Sequence, residues 1–173
     1  MKRAKELIEA LEASTDLFIK EIRTFKENEL NIKPEPNAWS AGDVAEHIVI
    51  LESLINNILS GTCVPAERNP EEKVLLVKNA FSDFSRTFHA PEPIAPSVNS
   101  KTMDHLINVI RASRQNTVQI IAAQDPGSLC KDFVHRIFGE MTRSEWVHFC
   151  LFHTDRHIVQ IQKIKEKIIR ESF

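Results

Sequence analysis

Only four glycines and not one tyrosine occur in 173 residues. That scarcity argues against a turn-rich sheet protein and for helices. The three cysteines, Cys63, Cys130 and Cys150, are odd in number and lack Cys-x-x-Cys spacing. A disulfide framework is therefore excluded, and a reducing, cytoplasmic setting is expected. No apolar run approaches the roughly 18 residues of a membrane span. The opening MKRAKELIEALEAS spreads its charges throughout, so neither a signal peptide nor a membrane partner is expected. Charge of one sign is missing too: 22 basic and 24 acidic side chains give a net −2. No basic face of the kind that holds nucleic acid results. Lys163, Lys165, Lys167 and Arg170 alternate with Ile164, Ile168 and Ile169, as on the solvated side of a helix whose last-turn cations suit the dipole.

What remains is an ordinary globular balance, 42% hydrophobic and 27% charged, over a length that suits one domain, 1–173. From Lys2 to Leu30, apolar Leu7, Ile8, Leu11, Leu17, Phe18, Ile22 and Phe25 fall at helical intervals, stopped by Pro34 and Pro36. Ser40 with Asp43 forms a capping box for a second helix. Its inner stripe reads Val44, His47, Ile48, Leu51, Leu54, Ile55 and Ile58 and ends near Gly61, with Trp39 packing down on Val44 or its neighbours. Asn69-Pro70 opens a short helix to about Phe88, and Pro91, Pro93 and Pro96 mark a loop. Ser100 or Thr102 opens a further helix with Leu106, Ile107, Ile110, Val118, Ile120 and Ile121 inside, ending before Asp125-Pro126-Gly127. Residues 128–141 read as a loop, extended at Lys131–Val134. Thr142 and Glu145 cap a last helix whose stripe is Trp146, Phe149, Cys150, His153, His157, Ile161, Ile164 and Ile168. Four long amphipathic helices make an all-α protein, a four-helix bundle in which the second and last helices face each other.

Of seven histidines, His47, His153 and His157 sit centrally in apolar stripes. His153 and His157 are four residues apart, one above the other on a helix at a spacing of roughly 6 Å. Two imidazoles so placed can converge on one metal ion, and a third from the facing helix leaves coordination positions open. A buried imidazole satisfied by a backbone carbonyl is the competing reading for each histidine alone. Three such groups on inward faces need a common reason, since each costs about 1–3 kcal/mol unpaired. Cys150, one turn before His153, is a further ligand candidate, though a small core residue is its ordinary role. Glu46 and Asp155 flank the histidines but project away, as surface groups or as partners of an imidazole N–H. Arg156 suits either an anionic substrate at the cavity mouth or plain solvent, and His135 the entrance to the site. His89, His105 and His148 lie in loops or off the stripes and are assigned no chemistry. Glu145-x-x-His148 has the spacing of a di-metal bundle, but its second copy is absent.

The segment Trp39-Ser40-Ala41-Gly42-Asp43-Val44-Ala45-Glu46-His47 resembles the helix-opening motif of the DinB-like superfamily. His135 to Thr142, Glu145-Trp146, and His153-Thr154-Asp155-Arg156-His157-Ile158-Val159-Gln160-Ile161 resemble its C-terminal motif. That family often has proline after the loop histidine, where this chain has Arg136. The resemblance implies a four-helix bundle in which His47, His153 and His157 bind a divalent metal such as Zn, Ni or Fe. It also implies a metal-dependent enzyme that transfers a low-molecular-weight thiol to an electrophilic small molecule. A hydrolase using the same ligands, and a metal-binding or vacant stress-response module without catalysis, are the alternatives. A homodimer through exposed helix faces is a further expectation.

Overall fold

The computed structural model describes residues 2–85 and 90–170. Four long helices form the bundle: α1 (Lys2–Ile22), α2 (Ala41–Ser60), α4 (Met103–Ala123) and α5 (Arg143–Arg170). A short helix, α3 (Val74–Ser82), packs on α5, and a single 3₁₀ turn (Glu92–Ile94) touches α2. Two dipeptide strands, β1 (Cys63–Val64) and β2 (Leu129–Cys130), pair antiparallel at the end of α2. Among the described residues no helix is long and apolar enough to cross a membrane.

The helix starts follow from the caps. Ser40 accepts the Asp43 N–H at 3.1 Å while Asp43 Oδ2 accepts the Ser40 N–H at 3.0 Å, so two otherwise orphaned donors are satisfied reciprocally. Thr142 and Glu145 repeat the arrangement at the head of α5, at 3.1 and 2.9 Å. The fully buried Glu145 also accepts both guanidinium nitrogens of Arg68 at 2.7 Å and the Lys73 N–H at 2.8 Å. The Glu145-x-x-His148 pair is thereby spent on structure: His148 Nδ1 bonds the Ser144 carbonyl at 2.9 Å. At the other end of α2, Gly61 leaves room for a neighbouring side chain. A Cβ there would overlap the Asp132 carboxylate, which accepts the Thr62 N–H at 2.8 Å.

Several sequence expectations are corrected. α1 ends at Ile22 rather than Leu30, because Thr24 Oγ1 donates to the Glu21 carbonyl at 2.7 Å and the chain breaks into turns. Leu17 and Leu54, assigned to inner stripes, are exposed. Asn69 caps a turn, not a helix, and α3 runs only from Val74 to Ser82, short of the expected Phe88, which like His89 lies outside the described residues. The extended stretch is Leu129–Cys130 instead of Lys131–Val134, fixed by pairing with β1. Trp39 packs, as expected, against the cluster that holds Val44, and its ring also lies 5.0 Å from that of His47.

The apolar core is divided in two. One cluster gathers Leu7, Leu11, Leu51, Ile55, Ile121, Trp146 and Phe149, and the other Phe18, Ile22, Val44, Ile48, Leu106, Ile110, Ile158 and Ile161. On α2, α4 and α5 the residues between the clusters are polar and buried: Glu52, Arg114, Thr117, His153, Thr154 and His157. Arg114 binds Glu52 through Nε at 2.8 and 2.9 Å and Thr154 through Nη2 at 2.6 Å, joining three helices. Thr117 donates to Asn56 Oδ1 at 2.7 Å. A belt of polar groups thus crosses the middle of the bundle, and the three buried histidines belong to it.

Candidate metal centre

His47 comes from the second turn of α2, and His153 and His157 from the middle of α5. All three are buried, and their ligand nitrogens lie within 4.8 Å of one another. His153 Nε2 is the centre of the group, 2.9 Å from His157 Nε2 and 3.3 Å from His47 Nε2.

The outer nitrogens set the protonation. His47 Nδ1 lies 2.7 Å from the Ile94 carbonyl, which only accepts, so that nitrogen carries the proton and Nε2 presents a lone pair. His157 Nδ1 meets Gln160 Oε1 at 2.8 Å with the same result. His153 Nε2 thus faces two lone pairs and, if protonated, can donate to only one of them. Without a shared cation, at least one of those lone pairs is left without a donor. Two nitrogens on one ion at about 2.0–2.1 Å stand about 2.9 Å apart at a right angle and about 3.3 Å at a tetrahedral angle. The observed separations match, so the donor set fits a first-row divalent ion.

Burial keeps these imidazoles neutral. It holds His153 well below 6.5, helped by the charges of His157 and His47 when they are protonated. It lowers His157 from 6.5 to about 3, and it lowers His47 against the opposing pull of the Ile94 carbonyl. Neutral imidazole is the ligand form. In metal-free protein the unfolded chain takes up protons below about pH 6.5 that the folded chain refuses down to about 3. Stability is therefore level above pH 7 and falls as pH drops, by about 1.4 kcal/mol per pH unit for each histidine held neutral. Denaturant unfolding of chelator-treated protein at pH 7.5, 6.5 and 5.5 measures this; equal stability at all three would contradict it.

The groups around the ligands were only partly visible in the sequence. The Ile94 carbonyl is delivered by a loop pinned to α2. Lys101, itself buried, bonds Asp43 at 2.5 Å and the Ser97 carbonyl at 2.7 Å, and Glu46 accepts the Ser97 N–H at 2.7 Å. Glu46 thus serves His47 indirectly, through that loop, and Asp155 is exposed. Gln160 stands one turn after His157, a spacing that lets its side chain reach the imidazole Nδ1. Gln160→Leu is expected to weaken metal affinity by about 10–100-fold with the helical content intact, as read by competition with a chromophoric chelator.

Other candidates are placed elsewhere. Cys150 is buried in the first apolar cluster and is not among the converging groups. Arg156 Nη1 donates to the Phe81 and Asp83 carbonyls at 3.0 and 2.9 Å, capping α3 rather than awaiting a substrate. His135 Nδ1 accepts the Ile137 and Phe138 N–H groups, and its ring stacks on Phe138. Phe149 links it to the site, 5.4 Å from the His135 ring and 6.0 Å from that of His153. Gly139, at φ +68, closes this turn, and Arg136, in the place of the expected proline, is compatible with it.

A four-helix bundle whose polar midsection gathers three imidazoles defines the class. The model of the DinB superfamily matches residues 10–161, and the chain belongs to that superfamily. It is 25% identical over 151 residues to the uncharacterized protein YuaE of Bacillus subtilis strain 168, covering 87% of this chain and 91% of that one. Two solved structures are similar in fold. TT2238, described as a four-helix bundle protein, is 17% identical at TM-score 0.59, over 92% of this chain and 98% of its own. YfiT from Bacillus subtilis, described as a probable metal-dependent hydrolase with an unusual four-helix bundle topology, is 13% identical at TM-score 0.58, over 95% and 87%.

Proposed function

We propose that His47, His153 and His157 hold one divalent metal ion and that the protein is a metal-dependent enzyme transferring a low-molecular-weight thiol to an electrophilic small molecule. The observation that carries this reading is the convergence of three Nε2 atoms at separations of 2.9 and 3.3 Å. Three protein ligands leave open positions, as catalytic sites do, whereas structural sites usually close with four. A bound divalent ion supplies Lewis acidity, lowering the pKa of a thiol or water that reaches it. The chain's own part is to orient and to exclude water. Ile94 and Gln160 fix two imidazoles, and the rings of Trp39, Phe81 and Phe149 wall the site.

Hydrolysis is the second reading, favoured by the description of YfiT as a probable metal-dependent hydrolase. Both use the same ligands, and one assay separates them. Protein loaded with Zn²⁺ or Ni²⁺ is incubated with a thiol and an electrophile such as a bromobimane, and separately with an activated ester. Thiol consumption that needs the metal supports transfer. Ester cleavage without thiol supports hydrolysis, and neither activity with metal bound supports a non-catalytic module.

A further inference from the structure

Cys63 and Cys130 stand opposite each other in the β1–β2 pair, with Sγ atoms 3.5 Å apart. Lys131 N donates to the Thr62 carbonyl at 2.9 Å, while Cys130 N turns away to the Met141 carbonyl at 3.0 Å. Thr62 and Lys131 are therefore the hydrogen-bonded pair, and Cys63 and Cys130 the non-hydrogen-bonded one. At such pairs the Cα atoms are about 4.5 Å apart and side chains approach most closely. A disulfide spans Cα separations of about 4.4–6.8 Å, so side-chain rotation alone joins the two sulfurs. Cys63 is half-buried and reachable, Cys130 is fully buried, and both are free thiols.

We propose that Cys63 and Cys130 form a reversible dithiol–disulfide site, oxidised by exchange with a low-molecular-weight disulfide. Cys63 gives its proton to solvent and attacks the disulfide RSSR. A Cys63–SR bond forms, the S–S bond of RSSR breaks, and one RS⁻ leaves. Burial first, and then the adjacent Cys63 sulfur, keeps the Cys130 thiol protonated in the reduced protein, so it acts second. Once Cys63 is capped, Cys130 attacks Cys63 Sγ, its proton passes to the departing RS⁻, and the second RSH leaves. Two protein thiols lose two electrons, and RSSR is reduced to two thiols. The bond ties the end of α2 to the segment leading into α5 across 67 residues, restricting the unfolded chain.

Oxidised glutathione in excess at pH 8, followed by alkylation and peptide mapping of the native protein, tests this. The expected result is a fall from three free thiols to one and a Cys63–Cys130 cross-link within one chain. The melting temperature should rise by about 5–10 °C, and dithiothreitol should reverse both changes. Cys130→Ser should stop at a glutathione adduct on Cys63, and Cys63→Ser should keep both remaining thiols. Three thiols surviving oxidation, a lasting glutathione adduct on wild-type Cys63, or a bond to Cys150 or to a second chain would each overturn the proposal.

Discussion

Replacing Arg114 by alanine is expected to destabilise the fold by about 3–5 kcal/mol, because it strips the partner from the buried Glu52 carboxylate. At about 2–4 °C per kcal/mol for a domain of this size, melting should fall by about 6–20 °C. The cost comes from the orphaned charge and not from the loss of a favourable pair. The double variant Arg114→Met with Glu52→Leu should therefore recover most of the loss, since an apolar pair of similar volume needs no solvation. Denaturant unfolding of the single and double variants decides it. A double variant as unstable as Arg114→Ala would show that the hydrogen bond to Thr154, beside His153, carries the effect.

His153→Ala should have the largest effect on the site. His153 is the one imidazole whose Nε2 contacts both others, so its loss leaves two nitrogens on different helices without the group between them. Metal content should fall from about one ion per chain to under about one-tenth, with any metal-dependent turnover lost. The fold should survive, because the apolar clusters on either side of the belt do not include this residue. Circular dichroism alongside elemental analysis reads both outcomes. If the variant loses its helices together with its metal, the ion is structural.

The parts of this molecule legible in the sequence are those governed by local rules. The Ser40–Asp43 and Thr142–Glu145 boxes bond as their spacing predicts, and periodicity placed all three histidines inside. The belt is not legible there, because a stripe is traced through apolar residues. Arg114 sits four residues after Ile110 and seven before Ile121, on the inner face, a position that a stripe of apolar residues does not mark. Only pairing with Glu52, on another helix, makes that burial tolerable, and such a partner cannot be seen from α4 alone. The β1–β2 pair is not legible for a similar reason. Two-residue strands carry no periodicity, and their register is fixed by residues 67 apart. The Ile94 carbonyl belongs to a backbone whose position depends on Lys101, Asp43 and Glu46.

Elemental analysis of the native protein, joined to titration of the chelator-treated form with Zn²⁺ and Ni²⁺, tests the three-histidine centre most directly. One equivalent of a first-row divalent metal per chain, rebinding after removal and raising the melting temperature, is the predicted result. Protein that is purified without metal, and whose melting temperature neither ion moves, would contradict it.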